Sequence, residues 1–107
     1  MYKSLTNCSR RIFETAAIKG WHKKRNPFPQ SIALMHSELS EALEAFRDGN
    51  PPDDKIPEFS GIEAELADVI IRILDTSFEE GLDIPGALIA KMQMNKTRPY
   101  RHGGKKI

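Results

Sequence analysis

Four acidic residues in this chain carry the spacing that chemistry needs. Glu38 and Glu41 are three apart, and Glu65 and Asp68 are three apart. Residues at that spacing are neighbours on a helix surface. Each pair lies beside an apolar stripe, and the geometry repeats: Leu39 and Leu43 stand to Glu38 as Leu66 and Ile70 stand to Glu65. Two helices packed through those stripes would bring four carboxylates together at the rim of a core. Clustered carboxylates raise one another's pKa unless a cation sits among them. Oxygen-only donors suit a hard divalent ion, Mg²⁺ or Mn²⁺, rather than zinc. Such an ion keeps several waters and accepts phosphate oxygens, so the cluster implies a phosphorylated substrate. Taken singly, each pair reads as a solvated helix face; it is their conjunction, at equal spacing beside equal stripes, that points to a metal site.

The basic residues offer the complement. Lys91 and Asn95 are four apart on one helix face, and Arg98, Tyr100, Arg101 and His102 follow. Arginine and lysine suit phosphate oxygens, and the asparagine amide both donates and accepts. The other reading of this end is a basic tail with no ligand. Trp21 precedes a second basic cluster, Lys23-Lys24-Arg25. Its indole could stack on a nucleobase or serve as a core or interface residue. Arg72, one turn after Asp68, could pair with a carboxylate of the cluster or with phosphate. His36 is left out of the catalytic set, because it lies about 160° from Glu38 on a helical wheel. Cys8 falls on the apolar stripe of the first helix and reads as a packing residue.

The elements that must hold these groups are helices. A first helix is predicted from about Ser4 to about Gly20 on the recurrence of Leu5, Cys8, Ile12 and Ala16. A second should run from about Pro29 to about Asp48, with Ile32, Met35, Leu39, Leu43 and Phe46 as its stripe. Gly49 to Phe59, with three prolines, reads as a loop longer than most connections. Ser60 and Glu63 fit a capping box that starts a third helix, ended at Gly81. Asp83 should cap a fourth helix, which runs to about Lys96 and must stop before Pro99. No strand alternation, repeat or low-complexity tract is present.

Helix three has apolar residues on two sides. Ile62, Leu66, Val69, Ile70 and Ile73 form one stripe; Ala67, Ile71, Leu74 and Phe78 form another. A helix apolar on two sides is buried on two sides, so a subunit interface through this helix is expected.

Composition narrows the class. The chain has 107 residues, enough for a single domain spanning 1–107 with a basic tail over about 97–107. Its net charge of +1 conceals a division: residues 1–37 balance at +6, residues 38–83 at −11, and residues 84–107 at +6. Asp53, Asp54 and Glu58 read as loop solvation, and Glu79 and Glu80 as a helix end. One cysteine excludes an internal disulfide or a cysteine-built zinc site. No apolar run could span a bilayer, and the first eleven residues lack a signal-peptide core, which points to the cytoplasm.

The ordered set now resembles something specific. Glu38-x-x-Glu41, twenty-three intervening residues, and Glu65-x-x-Asp68 resemble the signature of the all-α nucleoside triphosphate pyrophosphohydrolases, the MazG-like group. Lys91-x-x-x-Asn95 and Arg98-Pro99-Tyr100-Arg101-His102-Gly103 are similar to that family's C-terminal pattern, so the resemblance covers about residues 31–103. It implies a MazG-type four-helix bundle with helices packed across an oligomer interface, as a homodimer or homotetramer. It implies hydrolysis of a nucleoside triphosphate, a deoxynucleotide in the first instance, to monophosphate and pyrophosphate. Glu38, Glu41, Glu65 and Asp68 would match the Mg²⁺ ligands, and one of them, Glu41, could act as base. Lys91, Asn95, Arg98 and Tyr100 would match nucleotide contacts, joined here by Trp21. Two alternatives stay open: a phosphoribosyl or other pyrophosphate-containing substrate, and a non-catalytic helical dimer whose basic arms bind nucleic acid. The paired carboxylates count against the nucleic-acid partner.

Overall fold

Four helices in chain order account for the architecture: α1 (Tyr2–Ile18), α2 (Phe28–Arg47), α3 (Gly61–Glu80) and α4 (Ile84–Thr97). The computed structural model describes residues 1–98. Among them the fold is all-α; only an isolated bridge between Pro52 and Ser60 departs from helix and loop. No described helix is long and apolar enough to cross a membrane.

The expected boundaries hold because their local chemistry is present. At the start of α3, the Ser60 hydroxyl accepts from the Glu63 amide at 3.2 Å. The Glu63 carboxylate accepts from the Ser60 amide at 2.9 Å, completing the capping box. The Ser60 amide first, and the Ser60 hydroxyl after it, also hold the Glu63 carboxyl below the ordinary carboxylate range. Asp83 caps α4 by accepting from the Gly86 amide at 3.0 Å. Helix α1 stops at Ile18, a little before the expected end. Gly20 turns the chain there at φ +85°, a value costly to a residue with a Cβ, and the Trp21 amide donates back to the Ala16 carbonyl at 3.0 Å.

Helix α3 is central, packing on α2 along one side and on α1 along the other. The α1–α3 seam buries Ala16 and Leu74, and the buried Ser9 hydroxyl donates across it to the Leu74 carbonyl. Phe13 lies between the rings of Phe78 and His22, at centroid distances of 4.7 and 4.4 Å. Helices α2 and α3 form an antiparallel hairpin, with Gly61 beside Ala45 and Arg72 beside Glu38.

The packing of that hairpin corrects one expectation. Leu39, Leu43, Leu66 and Ile70 do not form the seam; they are 46, 49, 43 and 57% exposed. The seam uses small residues instead. Ala42 and Ala64 are buried, and a Cβ on Gly61 would stand only 3.0 Å from that of Ala45. Small side chains let the backbones approach closely, which turns the larger apolar residues to one flank. In an antiparallel pair with matching offsets, both flanks lie on the same side. Leu39, Leu43, Phe46, Leu66 and Ile70 therefore make one exposed apolar face. Cys8 is corrected too: it is exposed, on the wall of a cavity between α1 and α3, rather than packed.

The long loop is ordered by its own polar groups. The Asp53 carboxylate accepts from the Lys55 and Ile56 amides at 3.0 and 3.1 Å. Asn50, at φ +53°, lets its side-chain oxygen accept from the Ile62 amide at 2.9 Å, a second cap for α3. Asparagine tolerates that left-handed conformation better than most residues.

Candidate functional site

The hairpin seam places the carboxylates. Glu38 faces α3 from the middle of α2, and Glu65 and Asp68 face α2 from α3. One oxygen from each of Glu38, Glu65 and Asp68 lies within 4.8 Å of the other two. All three side chains are half-buried. Glu41 is exposed and stands outside this trio, although its charge still acts on Glu65. The four expected carboxylates thus divide into three that converge and one on the flank.

The trio's electrostatics are those of an under-compensated acidic cluster. Burial comes first in holding the Glu65 carboxyl above its ordinary range; the hydrogen bond and charge of Asp68 add to it, then the charges of Glu38 and Glu41. Among the described residues the cation in contact is Arg72, whose Nε–H donates to Glu38 Oε1 at 2.9 Å. Of its two expected roles, the structure shows the pairing with carboxylate. Three carboxylate oxygens converging from two rigid helices fit a hard divalent ion, because they supply hard donors and a net charge that calls for one.

A cavity of about 530 Å³ opens beside the trio. Glu38, Glu65, Asp68 and Arg72 form one wall, and Asp53, Asp54, Lys55 and Ile56 of the α2–α3 loop another. Trp21, 62% exposed, lines it as well, so the lone tryptophan sits at the candidate site rather than in the core. A larger cavity, about 680 Å³ between α1 and α3, adjoins it and shares Trp21, Ile71 and Arg72.

The segment that carries Trp21 is anchored to the far end of α3. His22 Nε2 lies 2.9 Å from Asp75 Oδ1, and its Nδ1 meets Glu79. Arg25 pairs with Glu80 at 2.7 Å. Glu79 and Glu80 are therefore partners for the α1–α2 connection as well as a helix end.

The basic C-terminal residues are elsewhere. Lys91, Asn95 and Arg98 are exposed on and after α4, which packs on α1, and none lines the carboxylate cavity of its own chain. Tyr100, Arg101 and His102 lie outside the described residues. Composition alone had missed the loop: Asp53 and Asp54 read as solvated charges, yet they and Lys55 face the cavity. The unusual length of that connection was the available signal.

The chain is similar to dCTP pyrophosphatase 1 of Homo sapiens, 32% identical over 94 residues, which cover 83% of this chain and 55% of that protein. It is similar to dCTP pyrophosphatase 1 of Mus musculus, 31% identical over 90 residues, 79% of this chain and 52% of that one. The chain spans about half the length of the curated relatives it matches. No family model and no solved structure matches it.

Proposed function

We propose that the chain is a nucleoside triphosphate pyrophosphohydrolase, cleaving deoxynucleotides among its substrates to the monophosphate and pyrophosphate. The observation that carries this reading is the convergence of Glu38, Glu65 and Asp68 from two helices in a cavity that Trp21 also lines. Similarity to two dCTP pyrophosphatases supports it.

A Mg²⁺ ion, or Mn²⁺ in its place, held by Glu38, Glu65 and Asp68 would supply charge against the triphosphate and lower the pKa of a bound water. The chain supplies the rest. The exposed indole of Trp21 offers a face on which a base can stack. Lys55, on the loop wall, offers its ammonium to a phosphate oxygen. Glu41, outside the trio, takes the base role: its carboxylate accepts the proton as water adds to the α-phosphorus. The bond to the bridging oxygen breaks, and pyrophosphate leaves with that oxygen.

The exposed face of Leu39, Leu43, Phe46, Leu66 and Ile70 supports a homodimer or homotetramer as the working form. Apolar patches of this kind mark interaction surfaces on small domains. Lys91, Asn95, Arg98 and Tyr100 would then act as nucleotide contacts from a second copy, each chain serving as one module over 1–107. A nucleotide-pool substrate would place the protein in the cytoplasm.

The test is a panel of ribo- and deoxynucleoside triphosphates with Mg²⁺, phosphoribosyl-ATP included, followed by separation of products. Pyrophosphate and monophosphate are expected. Orthophosphate in place of pyrophosphate would contradict attack at the α-phosphorus. A folded, metal-loaded protein that turns over nothing in the panel would sink the enzymatic reading. Glu38→Gln and Asp68→Asn should be folded and nearly inactive.

A further inference from the structure

The trio has a cation of its own. Arg72 follows Asp68 by four residues and Glu65 by seven, so all three share one face of α3. Its Nε–H donates to Glu38 Oε1 at 2.9 Å, with the two side chains 31 and 15% exposed. Among the described residues no other group accepts from this guanidinium, so its terminal nitrogens are unengaged. The side chain lines both the 530 Å³ carboxylate cavity and the adjoining 680 Å³ cavity, the partition between the two.

We propose that Arg72 is the built-in counter-ion of the carboxylate trio, holding Glu38 while no divalent ion is bound and turning to the substrate's phosphates once one is. The phosphate half rests on the pyrophosphohydrolase reading above; the counter-ion half does not. A guanidinium and a divalent ion compete for the same carboxylate, because each wants Glu38's lone pairs and each repels the other. Arg72 therefore lowers the trio's affinity for the free ion. When the ion takes Glu38, the guanidinium loses its one protein partner while remaining on the cavity wall. Its planar fork matches phosphate oxygens in bidentate fashion, which a lysine in that place would not. The consequence is ordered binding: the ion alone is held weakly, and the ion with a pyrophosphate-bearing ligand is held well, since only the pair satisfies both the carboxylates and the arginine.

The experiment is titration calorimetry on the full chain, wild type against Arg72→Met, with Mn²⁺ alone and then with inorganic pyrophosphate in saturating Mn²⁺. Arg72→Met should bind Mn²⁺ about tenfold more tightly, the scale of removing a unit charge beside a divalent ion at a half-exposed site. It should bind pyrophosphate about tenfold more weakly. Should the methionine variant fail to fold, Arg72→Gln, which removes the charge but keeps a donor, makes the same prediction. Mn²⁺ affinity unchanged or lowered in the variant overturns the proposal, as does unchanged pyrophosphate affinity. The two readings fail separately. A wild type that hydrolyses nucleotides with no such shifts refutes the role of Arg72 alone. The two opposed shifts in a protein that turns over no nucleotide leave Arg72's role standing and refute the pyrophosphohydrolase.

Discussion

Replacing Glu65 by glutamine should stabilise the metal-free protein. Glu65 is half-buried with an oxygen within 4.8 Å of both Glu38 and Asp68. At that distance each carboxylate repels it by about 1 kcal/mol at the dielectric of water, and by up to about 3.5 kcal/mol at an effective value near 20. Arg72 cancels part of the Glu38 share. A net gain of about 1 kcal/mol is therefore the working figure, equivalent to roughly 4–8 °C in Tm for a domain of this size. The pH dependence follows in sign. The folded carboxyl lies above its ordinary range, so its favourable contribution is full below the unfolded pKa and is lost as pH rises through the folded one. Wild type and Glu65→Gln should thus melt together in acid and separate as pH rises, the variant being the more stable. Excess Mg²⁺ should reverse the order, since only wild type keeps all three donors. Thermal melts in chelator and in Mg²⁺ across a pH series measure all of this. A variant no more stable than wild type at pH 8 in chelator, or a gap that fails to close in acid, would refute the electrostatic account of the trio.

Other outcomes are expected on the same grounds. Trp21→Ala should keep its helix content, because the indole is 62% exposed, and should weaken nucleotide binding by about 1–3 kcal/mol, read by titration with a non-hydrolysable triphosphate. Ser60→Ala should cost about 1 kcal/mol by opening the capping box, seen as a lower Tm. In that variant the stability that Glu63 adds above its unfolded pKa, and loses as pH falls through its lowered folded pKa, should shrink. Ile70→Glu, in the middle of the exposed apolar face, should shift the assembly toward monomer in light-scattering measurements while the isolated helices remain. Asp75→Ala should leave His22 held by Glu79 alone and loosen the α1–α2 connection, raising proteolytic cleavage between residues 19 and 27.

What the sequence disclosed depended on how local the cause was. The capping box at Ser60 and Glu63, the N-cap at Asp83 and the stop at Gly81 each rest on residues within one helical turn, and all were legible. The convergence of Glu38 with Glu65 and Asp68 was legible because both acidic pairs sit at equal offsets beside their stripes, so an antiparallel packing near those stripes brings them together, although Glu41 stayed on the flank. Which residues form the seam was not. Hydrophobicity favoured Leu39, Leu43, Leu66 and Ile70, but close approach is decided by side-chain size, and Ala42, Ala45, Gly61 and Ala64 won. Arg72's partner was undecidable for a related reason: its choice depends on the rotation of α2 against α3, which no single helix encodes. Asp53, Asp54 and Lys55 reach the cavity by way of turns fixed by Asp53 and Asn50, and a chain of such turns leaves little periodic trace.

The convergent carboxylates and their arginine all come from residues 38–72, one hairpin of two adjacent helices. Bringing them together closes a single loop of modest length, and loop-closure entropy grows only slowly with such lengths. The constellation therefore exists as soon as that hairpin exists, before α1 or α4 needs to dock. An ion that binds there strengthens one foldon first, so hydrogen exchange in α2 and α3 should slow on metal addition before it slows in the remaining helices.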